Sequence, residues 1–445
     1  MAPAMFGWVA RLNPFKTPDT QRLAVLFGIV YFAQGMWYLP NQTITIVLKE
    51  RGLSAGQVAD LFLITIIPWL IKPVYGLLSD FVPLFGRRRQ SYFLVTCSLA
   101  AGAGLILAWA DPIARGDVRT IDVFGLTRFT LVDGVGPFTV MALGLAFNDV
   151  LTDAMMVENG RPLGLTGAFQ SVQWACITLA SVVVGELGGY LAQTRSLRAA
   201  FLLAACFPLT SLFMGALFVR EAPARAGKAA FRQTWRAIRA ALGTRDIWVV
   251  AGFIFFFWFS PSFGPAFLYY ETDTLKFSQQ FIGRLAALAA ASGVVGAAAY
   301  APLSRRMPLT RIINWSIAFG VVSTLAYLLY RDATSALIIT VAFGAISMIT
   351  QLAFLDLAAK ACPRHVEATF FALLTSVYNL GMQLSENVGA RLYDVFGYAP
   401  LVYISAAMTA LAWLLVPLVR IDRIEARARE DARAREAPET TARAS

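Results

Sequence analysis

Charged residues are scarce in this sequence. Asp, Glu, Lys and Arg together make up 15% of its 445 residues, and 58% of the residues are hydrophobic. Soluble domains contain about 25% charged residues, so an ordinary soluble domain is excluded. The apolar runs are continuous and long enough for helical membrane crossings of about 20 residues, whereas barrel strands alternate apolar and polar residues. The composition therefore predicts an all-α integral membrane protein.

Residues that support metal, redox or covalent chemistry are also scarce. His365 is the only histidine, and the four cysteines fall in or beside apolar runs without a CxxC pair. The sequence contains no metal-ligand cluster, glycine-rich phosphate loop, Walker motif or nucleophile motif. We therefore predict that the protein is not an enzyme and holds no metal or cofactor.

The apolar runs between charged or Pro/Gly-rich breaks predict twelve membrane spans in two sets of six. The first six runs are near 22–48, 55–79, 91–110, 134–157, 164–192 and 198–219. The other six are near 247–270, 279–303, 310–330, 334–358, 366–393 and 399–419.

Basic residues predict the orientation of these spans. The net charge of +11 comes mainly from Lys and Arg in the short gaps between the runs, which indicates membrane topology and not a nucleic-acid-binding face. Most of these residues fall on one side, so the positive-inside rule predicts that both termini are cytoplasmic. No removable signal peptide and no transit segment is visible, which favours a bacterial-type inner membrane.

The spans predict five parts: a cytoplasmic N-terminal segment (1–21), a six-helix bundle (22–219), a cytoplasmic linker (220–245), a second six-helix bundle (246–420) and a charged cytoplasmic tail (421–445). Four apolar linker residues recur at helical spacing: Phe231, Trp235, Ile238 and Leu242. They are compatible with an interfacial amphipathic helix and equally with a solvated linker. The tail has no apolar stripe and is predicted to be solvated or partly helical.

An internal repeat relates the two halves. Asp153 precedes Arg161 by eight residues in the fourth span, and Asp356 precedes Arg364 by eight in the tenth. Further residues occupy comparable positions in the two halves: Glu186 and Glu386, and Gly76 and Gly296. Several matches in register favour a duplicated six-helix unit of the kind found in secondary transporters.

Motifs at the ends of these spans resemble a known family. Gly76–Asp80 followed by the Gly86–Arg89 stretch resembles the G-x-x-x-D…G-R-R-R signature of the major facilitator superfamily. The Pro68–Pro73 stretch (P-W-L-I-K-P) and Asp149–Glu158, which fits D-x-x-x-D-A-x-x-V-E, resemble the folate–biopterin transporter family, as does Cys362–Leu374. The resemblance implies the major facilitator fold, with two pseudo-symmetric six-helix bundles. It also implies transport of a small folate- or pterin-like anion by alternating access, at a central site between the halves.

Charged residues within the spans are the candidate site. A charge in a span costs about 2.5–3.5 kcal/mol on insertion scales, so each should face a partner or a cavity. Lys72 is eight residues before Asp80, and Asp149 is nine before Glu158. At about 1.5 Å per residue, both lie about 12 Å above their helix ends. Lys72 and Asp149 can therefore form an ion pair or share an anionic ligand; the alternative is a permanent structural pair.

Asp149 and Asp153 are four residues apart, so they share a helix face, where repulsion between two carboxylates favours proton binding at one of them. We expect Asp149 or Asp153 to bind a coupling proton while Lys72 attracts a substrate carboxylate.

Asp356 and Glu386 are predicted to form a second polar cluster. A pterin edge presents two N–H donors to a carboxylate, and the candidate acceptors are Asp149, Asp153 and Glu386. Candidate stacking partners, which could equally be packing or lipid-facing residues, are Trp37, Trp69, Trp174, Trp258 and Tyr378.

Other charges collect at the predicted cytoplasmic helix ends and are candidates for a gate: Asp80, Arg87, Arg88, Arg89, Glu158 and Arg161. Pairs among them would form when the inner gate closes and break when it opens, or the arginines would serve only as topology anchors.

These observations predict a monomeric, proton-coupled secondary transporter of a small organic solute in the lipid bilayer. Because a Walker motif is absent, uphill transport would use an ion gradient or an exchanged solute. The alternatives are a non-transporting membrane assembly factor and a muropeptide-type or other organic-anion permease.

Overall fold

The computed structural model describes residues 14–123, 127–163, 165–221, 232, 235–236, 238–240, 242–362 and 367–436. Within these residues, eight helices are long and apolar enough to cross a membrane. The number is nine if Tyr398–Leu414 and Val416–Ala428, which are bent by 40°, count as one span. The predicted all-α, membrane-spanning fold class is therefore confirmed.

The helices of the first half begin after Thr17, whose side chain caps the first of them. In chain order they are α1 (Pro18–Gly35), α2 (Asn41–Glu50), α3 (Ala55–Thr65), α4 (Ile67–Leu70), α5 (Lys72–Phe81), α6 (Gln90–Ala110), α7 (Pro112–Arg115), α8 (Val135–Gly160), α9 (Thr166–Gln193) and α10 (Leu197–Phe218).

The helices of the second half follow the linker. They are α11 (Arg245–Trp258), α12 (Pro265–Asp273), α13 (Gln279–Arg306), α14 (Leu309–Ala326), α15 (Ala333–Ala361), α16 (Glu367–Phe396), α17 (Tyr398–Leu411), α18 (Val416–Val419) and α19 (Ile421–Glu436).

The described residues pack into two compact units. The first contains those within Met1–Arg51, Ile67–Lys228 and Ser278–Ala287. The second contains those within Gly52–Ile66, Ala229–Phe277 and Leu288–Ser445. Helix α3 thus belongs to the second unit, although α4 and α5 belong to the first.

Several predicted spans are interrupted helices, and three of them show where the interruptions fall. Run 22–48 is broken by a 3₁₀ turn at Met36–Tyr38, run 55–79 is divided into α3, α4 and α5, and run 247–270 stops at Trp258 and resumes at Pro265. Each break lies beside proline, which lacks the backbone N–H that continues a helix. These prolines were expected to bend the helices, and the helices are interrupted beside them. Helix α16 is long but is not among the eight apolar helices, because polar residues such as Asn379 and Gln383 interrupt its apolar sequence. The number twelve stays a prediction.

Two glutamates cap helices in equivalent places of the two units. The Glu221 carboxylate, just after α10, accepts the backbone N–H groups of Arg89 and Gln90 at 2.9 Å at the start of α6. Glu425, in α19, accepts the N–H of Leu309 at 3.3 Å at the start of α14. These carboxylates satisfy donors that have no partner within their own helix.

Helix α8 lies at the centre of the first unit and carries the predicted aspartates. It packs against α6, α5, α9 and α1. Gly144 permits the close approach to α6, because a Cβ atom there would lie 2.3 Å from the Thr96 carbonyl oxygen. This packing brings side chains of α1, α5 and α9 to the face of α8 that bears Asp149 and Asp153.

Two antiparallel strands lie between α7 and α8, where the sequence predicted a loop. Strand β1 (Val118–Val123) pairs with β2 (Thr127–Val132), with Val118 opposite Val132. Both segments are rich in β-branched residues, which favour strands, and this is the signal that was missed.

The described part of the charged tail is helical, which is one of the two predicted alternatives. Ile421 and Glu425 of α19 are buried, and Asp422 accepts a hydrogen bond of 2.6 Å from Thr310. Other residues of this helix, such as Arg423 and Arg427, are exposed. Most of linker 220–245 lies outside the described residues.

Candidate functional site

Lys72 and Asp149 form a buried ion pair in the first unit. The Lys72 Nζ atom lies 2.6 Å from Asp149 Oδ2, and the two side chains are 16% and 4% exposed. Lys72 is the first residue of α5, directly after the break in the second predicted span. Its ammonium also lies 4.8 Å from the centre of the Trp69 ring. Lys72 and Asp149 therefore form the ion pair that their equal depth along the two helices permits.

Asp153 has different surroundings. Its carboxylate accepts hydrogen bonds from the Tyr31 hydroxyl and, at 3.5 Å, from Gln173 Nε2. In the described part of the chain, no Lys or Arg nitrogen lies within 4.0 Å of it. Tyr31 of α1 and Gln173 of α9 were missed by sequence reasoning, because nothing in the sequence says which face of each helix meets α8.

Aromatic residues near this cluster are mainly packed. Phe147 of α8 is stacked between Tyr75 and Tyr92, at centroid distances of 4.7 and 5.1 Å. Trp37 stacks on Phe138 at 4.4 Å. Trp174 is partly exposed on α9, next in sequence to Gln173. Trp69 therefore has the more direct contact with the predicted charged site.

The second unit contains the repeat partner of Asp153. Asp356 forms an ion pair of 2.7 Å with Lys360, four residues later on α15. It also accepts a hydrogen bond of 3.1 Å from the Tyr300 hydroxyl. Lys360 lies 4.0 Å from Glu425 of α19. Asp356 is therefore part of a local charge cluster at the end of α15.

Glu386 lies elsewhere, on α16. It accepts a hydrogen bond of 3.3 Å from Gln383. Asp356 is five residues before the end of α15, whereas Glu386 is 19 residues after the start of α16. The end of α15 and the start of α16 are neighbours in sequence, so both lie on one side of the bundle. Measured from these helix ends, Asp356 is about 8 Å along its helix and Glu386 is about 28 Å along its helix. The expectation that Asp356 and Glu386 form one cluster was wrong.

An aromatic group lies on the same helix as Glu386. Tyr378 of α16 meets Trp258 edge to face, with ring centroids 4.6 Å apart. The Trp258 Nε1 atom is buried and has no hydrogen-bond acceptor among the described residues. Gly264 packs directly on Glu386, since a Cβ there would lie 2.8 Å from the Glu386 Cβ. The break between α11 and α12 is thus packed against α16.

Arg89 organises the charges predicted to form a gate. Its guanidinium donates to Asp80, to Glu158 at 2.6 Å and to Ser79 at 2.6 Å, and the residue is 3% exposed. Arg88 lies 4.0 Å from Glu158 and is 41% exposed. Arg87, in the same loop, is exposed. The side chain of Arg161 lies outside the described part of the molecule.

Two further ion pairs lie away from these clusters. Glu186 of α9 lies 3.5 Å from Arg284, and both side chains are about half exposed. Asp60 of α3 is 1% exposed and accepts hydrogen bonds from Arg391 at 2.6 Å and Asn387 at 2.9 Å. Sequence reasoning missed Asp60, although a carboxylate in an apolar run was a usable signal.

Comparison with known sequences identifies relatives over most of the chain. The chain is 31% identical over 404 residues to a protein of Synechocystis sp. named folate-biopterin transporter, covering 86% of this chain and 76% of that protein. It is 24% identical to a probable folate-biopterin transporter 4 of Arabidopsis thaliana, covering 84% and 88% of the two chains. It is 23% identical to folate transporter 1 of Plasmodium falciparum, covering 82% and 71%.

Solved structures of transporters have the same fold. A D-xylose-proton symporter superimposes with a TM-score of 0.66 at 14% identity, covering 89% of this chain and 96% of that one. The nucleoside transporter NupG superimposes with a TM-score of 0.65 at 10% identity, covering 91% and 98%. The model of the BT1 family matches residues 33–421. The chain therefore belongs to the BT1 family.

Proposed function

We propose that this protein is a proton-coupled secondary transporter that moves a folate- or pterin-like anion by alternating access. The observation that carries the proposal is the buried Lys72–Asp149 ion pair beside the second carboxylate of Asp153. The relatives named as folate or folate-biopterin transporters support the substrate class.

Lys72 is the proposed contact for a substrate carboxylate. It begins α5, where the helix dipole and the ammonium both favour an anion. Asp149 already occupies this position at 2.6 Å, so an incoming carboxylate competes with it. Trp69 lies against the same ammonium and offers a flat ring to a heterocycle. Substrate binding then exchanges one anionic partner of Lys72 for another.

Glu386 is the proposed acceptor for the amino-pyrimidinone edge of a pterin. A carboxylate accepts two adjacent N–H groups side by side, and among the described residues Glu386 has one hydrogen-bond partner, Gln383, at 3.3 Å. Tyr378, which is on the same helix as Glu386, and Trp258 supply the aromatic surface. Trp174 is a further stacking candidate in the first unit. Asp356, held by Lys360, is proposed to stay with its ion pair.

Proton coupling is proposed for the carboxylate pair of α8. Asp149 and Asp153 are one helical turn apart, and one cation, Lys72, lies beside the pair. When a substrate carboxylate binds Lys72, Asp149 loses its cation. The negative charges of Asp149 and Asp153 then repel each other, and binding of a proton by one of them removes this repulsion. This links binding of the anion to binding of a proton.

The Arg89 cluster is the proposed inner gate. Asp80, Glu158 and Arg89 form the contact, and Arg87 and Arg88 contribute positive charge from the same loop. Arg161 stays a candidate for the gate from the sequence alone. We further propose that both termini lie on the cytoplasmic side of a bacterial-type inner membrane, that the protein works as a monomer in the lipid bilayer, and that the domains have the boundaries predicted from sequence.

The test is uptake of labelled folate and labelled biopterin into proteoliposomes, with and without an inward proton gradient. Folate carries carboxylates and biopterin carries none. We expect gradient-stimulated uptake of both by the wild type. We expect Lys72→Ala to raise the KM for folate at least tenfold and that for biopterin less. Lys360→Ala, which removes the lysine of the second unit, is the matched control and should leave both KM values near wild type.

Two results would contradict the proposal. Absence of uptake of either solute by well-folded wild type would reject the substrate class and favour another organic anion or an assembly role. Equal effects of Lys72→Ala on folate and biopterin would reject the carboxylate contact. Because Lys72→Ala leaves Asp149 without its cation, the double variant Lys72→Ala/Asp149→Ala is measured in parallel.

A further inference from the structure

The internal repeat places Asp153 and Asp356 at equivalent positions with different neighbours. Each precedes an arginine by eight residues and each accepts a hydrogen bond from a tyrosine hydroxyl, of Tyr31 or Tyr300. Four residues further along the helix, the second unit has Lys360 and the first has Val157. The same residue in the same repeat therefore has a cation in one unit and an apolar side chain in the other.

This difference gives the two aspartates different electrostatic surroundings. Lys360 lies 2.7 Å from Asp356, and a cation at that distance stabilises the ionised carboxylate. Val157 gives Asp153 no such partner. The Lys72 ammonium forms its 2.6 Å contact with Asp149.

Among the described residues, the titratable and polar groups that the helices packed on α8 present to it can be named. Helix α1 presents Tyr31, α5 presents Lys72 and Tyr75, α9 presents the uncharged Gln173, and α8 itself presents Asp149. The Tyr75 ring is stacked on Phe147, and the Arg161 side chain, on the turn after α8, lies outside the described residues. Helix α4 contains no titratable residue. The titratable residues that α6 turns toward this side are packed elsewhere: the Tyr92 hydroxyl donates to the Val82 carbonyl, and Cys97 is buried.

Ion pairing separates the two carboxylates of α8. Asp149 is held by the Lys72 ammonium, whereas the hydrogen-bond partners of Asp153 among the described residues, Tyr31 and Gln173, are uncharged. A carboxylate without a cation beside it takes up a proton more readily than one that is held by a lysine. Neutralising Asp153 also removes its repulsion with Asp149.

We propose that Asp153, positioned by Tyr31 and Gln173, is the group that takes up and releases the coupled proton, and that Asp149 stays ionised as the partner of Lys72. This inference rests on the proton-coupled transport proposed above. Tyr31 is thereby assigned as a positioning residue. Because Val157 stands where the second unit has Lys360, Asp153 is available to a proton and Asp356 is not.

The test measures the ratio of folate uptake with and without an inward proton gradient. We expect Asp153→Asn and Val157→Lys to reduce this ratio to 1. Val157→Lys rebuilds in the first unit the ion pair that Lys360 makes in the second, while Asp153 itself is unchanged. Val157→Leu is the matched control and should keep the wild-type ratio.

The variant Tyr31→Phe distinguishes a positioning role of the Tyr31 hydroxyl from a role in packing alone. The tyrosine hydroxyl stabilises the ionised carboxylate, so its loss should move the pH of half-maximal gradient-driven uptake upward. A substitution that only loosened packing would lower uptake at every pH without moving the midpoint.

The outcomes separate the inference from the proposed function. Wild type without folate or biopterin uptake overturns both. Uptake by the wild type that is the same with and without the gradient overturns the inference and the proton coupling, but it is still consistent with transport. A wild-type ratio above 1 that collapses in Asp149→Asn and persists in Asp153→Asn overturns the inference alone. If Val157→Lys does not fold, Asp153→Asn and Tyr31→Phe decide.

Discussion

The two units hold their buried charges in different ways. In the first unit, Lys72 of α5 meets Asp149 of α8, 77 residues away in sequence. In the second, Lys360 meets Asp356 within one helical turn of α15. A pair within one helix forms whenever that helix forms and contributes little. A pair between helices depends on how they pack, so an anionic ligand can replace one of its members.

Loss of Lys72 is expected to have the largest effect on stability. Removing one partner of a buried ion pair leaves an uncompensated charge, which costs about 3–5 kcal/mol. Removing Lys360, whose side chain is 26% exposed, should cost less than about 1 kcal/mol. Thermal unfolding of Lys72→Ala and Lys360→Ala in the same detergent measures the difference. Equal losses would remove the distinction between the two units.

The double variant Lys72→Ala/Asp149→Ala sharpens the same comparison. Because it removes both charges, it should be more stable than Lys72→Ala alone, by about 1–3 kcal/mol. Thermal unfolding of the wild type, both single variants and the double variant completes the cycle. A double variant as unstable as the sum of the two single variants would show that Lys72 and Asp149 do not interact.

Arg89 should have a smaller effect. Its guanidinium joins Asp80 and Glu158, whose side chains are each 42% exposed and stay hydrated when the arginine is lost. Loss of hydrogen bonds to charged groups should cost about 1.5–3 kcal/mol in Arg89→Ala. Arg88→Ala, one residue away and 41% exposed, is the control and should cost less than about 1 kcal/mol. Denaturation of the two variants should give this order, and the reverse order would contradict the assignment.

The helix caps should have the smallest effect and should be alike in the two units. Glu221→Ala and Glu425→Ala each remove a carboxylate that accepts backbone N–H groups at a helix start. Loss of a cap typically costs about 1 kcal/mol. Hydrogen exchange of the first turns of α6 and α14 should become faster in the respective variant. Unchanged exchange in either variant would argue against capping at that helix.

Residue spacing along the helices predicted part of the site. The distances of Lys72 and Asp149 from their helix ends were enough to place them at one depth, because the rise per residue is constant. The same arithmetic, applied to the direction of each helix, shows why Asp356 and Glu386 lie at different depths. Charge alone suggested that Asp356 and Glu386 form one cluster, and charge carries no information about depth.

Rotation of the helices could not be predicted. Tyr31 and Gln173 reach Asp153 because α1 and α9 turn those faces toward α8, and an apolar helix in a membrane has no polar stripe that fixes this choice. The breaks at Pro68 and Pro265 were foreseeable as bends, whereas the number of residues that leave the helix depends on packing, as at Gly264 against Glu386.

The KM of Asp149→Asn for folate tests most directly the claim that substrate and Asp149 compete for Lys72. Uptake by proteoliposomes containing this variant is compared with the wild type, and biopterin, which has no carboxylate, is the control solute. The account predicts a KM for folate several-fold below that of the wild type and an unchanged KM for biopterin, because Lys72 is released from its internal partner. A KM for folate that rises or stays the same in a well-folded Asp149→Asn variant would contradict it.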